Sequence, residues 1–143
     1  MQTQGLDAGS DPAFESRFAI IDAILEDQAF EKIRGEVEAL VDTERSYLPA
    51  HKKGGTVAYS TLRELAPNLV AHYHSEAFSR LVSRITGVAV HPTPLHDESS
   101  CSVLFYEKPG DHIGWHYDHN FYRGRHFTVL ILVVNRGPGG RLS

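Results

Sequence analysis

The chain has almost no sulfur, with one cysteine, Cys101, and one methionine in 143 residues. A single cysteine excludes an internal disulfide framework and fits a reducing cytosol, so a cytoplasmic location is expected. Against it stand nine histidines and 18 Asp+Glu, so any metal held here is held by imidazole and carboxylate rather than thiolate. An excess of positive charge is also missing. Fourteen Lys+Arg leave a net charge of −4, which argues against a general nucleic-acid or anionic-membrane binder. The longest apolar stretch, Phe127 to Val134, falls well short of the roughly 20 residues that span a bilayer, so no membrane partner is expected. The opening Met1-Gln-Thr-Gln-Gly-Leu-Asp lacks the basic start and apolar core of a secretory signal. The remainder, 41% hydrophobic and 22% charged, is ordinary globular composition for one domain.

Three stretches follow one another along the chain. Residues 1–10, rich in Gly, Gln, Ser and Asp, are expected to be disordered, residues 11–87 mainly helical, and 88–143 strand-forming. Phe18-Ala-Ile-Ile reads as a short strand or as part of a short helix from Asp11-Pro12. Asp27 reads as an N-cap, and behind it Phe30, Ile33, Val37 and Leu40 recur at helical steps. Arg45 to Thr56, with Pro49, Lys52, Lys53 and Gly54-Gly55, reads as a loop. A second helical stretch from about Ser60 to Thr86 is broken near Pro67. Its last piece has Ser75 as cap, Phe78, Leu81, Val82 and Ile85 as buried stripe, and Gly87 as stop.

After Gly87 the period changes to two. Strands are expected at Ser102 to Glu107, His112 to Tyr117 and His126 to Asn135, with Lys108-Pro-Gly-Asp111 as the turn between the first two. The third is apolar on both faces and should be covered on both. Helices first and strands afterwards is the α+β order.

The segment Gly110-Asp-His-Ile-Gly-Trp-His116-Tyr-Asp118-His-Asn carries the clearest chemistry. On a strand, Gly114, His116 and Asp118 share one face, and Trp115 and Tyr117 the other. An imidazole and a carboxylate so placed can reach one metal ion, Gly114 leaves it room, and the donor pair suits Fe(II), Mn(II) or Zn(II). The bare spacing is common, since this composition gives about one His-x-Asp/Glu by chance. The sequence holds three such pairs. His74-x-Glu76 falls at a helix or its cap and His96-x-Glu98 in a Pro-flanked loop, so only His116-x-Asp118 has a strand setting.

Tyr106-x-x-x-Gly110-Asp-x-x-x-Trp-His116-x-Asp118, followed by Arg125-x-x-Thr128-Val-Leu-Ile-x-x-x-Asn135 and Gly139-Gly140, resembles the Fe(II)/2-oxoglutarate-dependent dioxygenases. The likeness is greatest to their prolyl-hydroxylase-like and small-molecule hydroxylase branches. It spans Ser102 to Leu142 and, more loosely, Phe18 to Val41. The resemblance implies N-terminal helices packed on an antiparallel double-stranded β-helix, a jelly roll. It implies His116 and Asp118 as two ligands of a 2-His-1-carboxylate triad for Fe(II), and Tyr106 as a contact of the cosubstrate 2-oxoglutarate. It also implies oxidation of an amino acid, a peptidyl side chain or a small metabolite, with release of succinate and CO2. Radical halogenases of the same fold usually carry Gly or Ala in place of the carboxylate, freeing a site for halide. Asp118 fills that position, so hydroxylation is expected.

The family also needs a distal histidine and an Arg or Lys for the far carboxylate of 2-oxoglutarate. Only 25 residues follow Asp118, and their histidines, His119 and His126, are poor stand-ins, so the jelly roll is expected to be incomplete and the chain truncated at its C-terminus. The competing reading is a degenerate or truncated jelly-roll module that binds or assembles without catalysis. Exposed strand edges in such a half barrel predict a homodimer. A helical zinc pair from His112 and His116 is opposed by Gly114 and by the Pro-Gly turn before it. Arg123, Arg125, Arg136 and Arg141 read as solvated loop charges, and His72 and His74 as helix-surface or core-edge residues.

Overall fold

A computed structural model describes residues 19–22, 24–43, 52–113 and 123–137. Its first helix, α1, runs Asp27–Ala39 and tightens into a 3-10 turn over Leu40–Asp42. The N-cap is Glu26, in extended conformation, rather than Asp27. Asp27 sits instead in the first turn, where its negative charge suits the positive end of the helix dipole. Ile33 and Val37 are buried, and Leu40 closes the same stripe at 1% exposure. Ala19 to Asp22 form neither helix nor strand, and Ile20 is exposed; Phe18 lies outside the described residues.

The long helical stretch is three helices. α2 spans Tyr59–Leu65, α3 Pro67–Tyr73 and α4 Glu76–Thr86. Pro67 lacks the N–H that would continue α2, and it opens α3 at a position where no N–H is needed. Ala66 between them leaves the helical region at φ −132°, ψ 56°. Ser75 caps α4, its Oγ accepting from the Phe78 N–H at 3.1 Å while donating to the His72 carbonyl at 2.7 Å. Gly87 ends α4 at φ 72°, a left-handed position that favours glycine. Of the expected stripe only Phe78 is buried; Leu81, Val82 and Ile85 are half-buried.

The Arg45–Thr56 stretch corrects the expectation of a loop. It contains β1, Lys52–Lys53, and β2, Gly55–Val57. β2 pairs antiparallel with β3, Val103–Phe105, and β1 pairs antiparallel with β4, His112–Ile113. Both ladders join residues on either side of Gly87. The β2–β3 ladder lies between two clusters. Leu40, Val57, Leu62 and Ala66 form one, and Leu25, Ile33 and Val37 the other. Leu69, Val103 and Phe105 touch both and weld them into one core. Hydroxyls tie down the segment after α4. Tyr59 Oη donates to the Leu95 carbonyl at 2.8 Å, and Tyr73 Oη, Thr93 Oγ1 and Ser100 Oγ form a chain with steps of 3.0 and 2.7 Å.

The expected strand over His126 to Asn135 is not formed. This segment pairs with no strand among the described residues, and Leu130 and Leu132 are each 65% exposed. Apolar alternation gives a strand only when a neighbouring backbone completes its ladder. The segment is held by side chains instead. Val133 packs on the Leu25–Ile33–Val37 cluster, and the Arg136 guanidinium meets Glu38 on α1 at 2.6 Å.

Candidate functional site

The two ladders belong to separate two-stranded sheets whose registers follow one another along residues 52–57. Lys52 faces Ile113 and Lys53 faces His112; then Gly55 faces Phe105, Thr56 faces Leu104 and Val57 faces Val103. The chain from Val103 to Ile113 therefore runs back along 52–57, and six residues, Tyr106 to Asp111, stand opposite the single residue Gly54. Bulges of this kind bend a strand and re-aim its side chains. Here the bulge carries Tyr106 at its start, and β4 at its end leads toward His116 and Asp118.

Local chemistry closes the excursion. Pro109 and Gly110 are the middle residues of a turn whose Asp111 N–H donates to the Lys108 carbonyl at 2.9 Å, and Gly110 takes φ 90°, a pattern that matches a type II turn. The Asp111 carboxylate accepts the N–H groups of Lys108 and Glu107, both at 2.9 Å. These bonds, Lys108 first, hold its carboxyl below the usual range. The His112 ring Nδ1 lies 2.7 Å from the Gly110 carbonyl. Asp111 and His112 are thus engaged with the turn.

Tyr106 packs its ring against Gly54. A Cβ on Gly54 would stand 2.7 Å from the Phe105 carbonyl oxygen and 3.0 and 3.2 Å from Cδ1 and Cε1 of Tyr106. Gly54 also holds φ 147°, which side-chain-bearing residues rarely adopt. Tyr106 remains 42% exposed, and partial burial pushes its phenol above the ordinary value. The Gly54-Gly55 dipeptide was visible in the sequence as loop chemistry. Its role opposite Tyr106 was not, because the pairing joins residues about 50 positions apart.

Of the residues singled out by sequence, Tyr106 lies beside Gly54, while His116 and Asp118 lie outside the described residues, as do Gly114, Trp115, Tyr117, His119 and Arg141. Among the described residues no three His, Cys, Asp or Glu side chains converge to hold a metal. Arg123, Arg125 and Arg136 are exposed, and Arg136 is engaged by Glu38. His72 and His74 occupy the joint between α3 and α4. The His72 ring lies 4.8 Å from that of Phe78, and His74 meets Tyr73 edge-on at 4.7 Å. His74 Nδ1 lies 3.0 Å from the Val70 carbonyl, and the Nε2 atoms of both histidines are buried with no partner among the described residues. Burial lowers the pKa of His72. No helix among the described residues is long and apolar enough to cross a membrane.

Residues 3–136 fit the family model described as Halogenase D. No curated protein and no solved structure matches the chain.

Proposed function

We propose a function from one premise: this chain belongs to the halogenase D family. It is an oxidative enzyme that uses Fe(II) and 2-oxoglutarate to hydroxylate an amino acid, a peptidyl side chain or a small metabolite. The observation that carries the reading is His116-x-Asp118, two residues apart and beginning three residues beyond β4. Neutral imidazole and ionised carboxylate form a donor set that suits Fe(II) and leaves coordination positions open. When bound, Fe(II) and 2-oxoglutarate would supply the activation of O2, one of whose oxygens goes to the substrate and the other to succinate as 2-oxoglutarate loses CO2.

The rest falls to the chain. His116 and Asp118 hold the metal, and Tyr106, at the start of the bulge, contacts 2-oxoglutarate. The turn from Lys108 to Asp111 joins that tyrosine's end of the excursion to β4. The proposed fold around them is the jelly roll with N-terminal helices packed on it, in which the pairing of residues 52–57 with 103–113 is one edge.

The family's description favours a second reading, halogenation of the substrate. Halide would need the metal position that a carboxylate takes, and Asp118 supplies that carboxylate. Hydroxylation is therefore the first reading. A binding or assembly module without catalysis is the reading left if no metal is held.

The test is anaerobic titration of the chain with Fe(II) and then 2-oxoglutarate, followed through the visible charge-transfer band of the chelate. The band is expected, and Asp118→Ala should weaken Fe(II) binding by about 100-fold or more, since loss even of an outer-shell partner costs about 10- to 100-fold. With air, chloride and candidate substrates, the product should gain one oxygen. Gain of one chlorine would establish halogenation instead. No band and no succinate would leave the non-catalytic module.

A further inference from the structure

We propose that Gly54 is a positioning residue for the cosubstrate site. By having no side chain, it sets where the Tyr106 ring stands relative to the strand that leads to His116 and Asp118. The inference rests on the reading of Tyr106 as a 2-oxoglutarate contact and adds a residue that no motif includes.

Three observations converge on this glycine. First, residues 52–57 pair with both strands flanking the bulge, so their geometry sets the offset between them. Second, Gly54 is the single residue facing six, at the point where the pairing changes partner. Third, the space its missing Cβ would fill is taken by the Phe105 carbonyl oxygen and by the edge of the Tyr106 ring. The contact at 2.7 Å is with backbone, so a methyl group there must shift the Phe105–Tyr106 peptide. The φ of 147° adds strain for any side chain. Both effects displace the first residue of the bulge, whereas β4, on the far side of the turn, keeps its own pairing with Lys52–Lys53. Tyr106 should therefore move relative to β4. Misplacement of a contacting group by about 1 Å can weaken its action by up to about 100-fold.

The experiment is a double-mutant cycle on the full chain, with Fe(II) bound anaerobically and 2-oxoglutarate titrated through the charge-transfer band. Gly54→Ala should raise the 2-oxoglutarate dissociation constant about tenfold or more while leaving Fe(II) affinity within about twofold. In the Tyr106→Ala background the same substitution should change the constant by less than about twofold, because the group it acts through is gone. Equal effects in both backgrounds, or no effect in either, would overturn the positioning role and leave the proposed function standing. Failure of the unmodified chain to bind 2-oxoglutarate would overturn the proposed function and this inference with it. Should Gly54→Ala not fold, proton NMR of the unmodified chain decides. The Gly54 α-protons should show cross-relaxation with the Tyr106 ring and should shift on addition of 2-oxoglutarate; signals that ignore the cosubstrate overturn the proposal.

Discussion

The carboxylate of Glu36, on α1, caps the N-terminus of α3 through Asn68. Glu36 Oε1 accepts both the backbone N–H and the side-chain amide of Asn68, at 2.9 and 2.7 Å, and Oε2 accepts the Leu69 N–H at 2.9 Å. Pro67 has no N–H to offer, so one side chain satisfies the next two free donors of this helix. The bond joins residues 32 positions apart and locks α1 to the helix that carries His72 and ends at His74.

Glu36→Ala should therefore destabilise the chain by about 1–2 kcal/mol, the upper part of the range for losing a helix cap. Glu36→Gln, which keeps one carbonyl acceptor, should lose less. Urea unfolding checks this, with a lower midpoint and an unchanged slope as the expected result. An unchanged midpoint for Glu36→Ala would show that the cap contributes nothing.

Stability should fall on mild acidification through His72. Its folded pKa is lowered by burial, so its neutral form is favoured in the fold and the contribution is complete above the ordinary imidazole value of 6.5. As pH drops below 6.5 and through the folded value, the unfolded chain takes up a proton first and stability declines. His72→Phe should flatten that part of the stability–pH curve. A curve of the same slope with and without His72 would place the effect elsewhere.

Acid should also loosen the bulge, in a lower window. The Asp111 carboxyl titrates below the ordinary aspartate value of 3.8 because it accepts the Lys108 and Glu107 N–H groups, so its support of the turn is complete above 3.8. That support is lost as pH falls through the depressed folded value. Amide exchange at Glu107 and Lys108, compared between the unmodified chain and Asp111→Ala, reads this directly. Faster exchange in the variant at neutral pH is expected; equal rates would mean the carboxylate does not hold these donors in solution.

Cys101 should behave as an inert thiol. It is half-buried against the Leu40–Val57–Leu62–Ala66 cluster, and desolvation pushes its pKa from 9.0 up to about 11. Only the thiolate reacts, so alkylation at pH 8 should be roughly 100-fold slower in the native chain than in denaturant. A native rate close to the denatured one would show that the thiol is open to solvent.

What the sequence determined by itself is what short-range chemistry decides. Ser75 as cap, Gly87 as stop, the break at Pro67 and the Lys108–Asp111 turn depend on residues within four positions of each other, and each stands where the pattern puts it. His116-x-Asp118 is read from spacing alone, as two donors that a strand would put on one face, and both lie outside the described residues. Tertiary structure decided the remainder. Lys52 to Val57 reads as loop because two lysines and two glycines carry no strand period, yet it pairs because the backbones of 103–105 and 112–113 come to it. His126 to Asn135 reads as a strand apolar on both faces and pairs with none among the described residues, because apolar residues supply the burial of a ladder and not its partner. Gly54 belongs with these two. Its importance lies in an atom it does not have, and only the fold shows that the Phe105 carbonyl and the Tyr106 ring occupy that space.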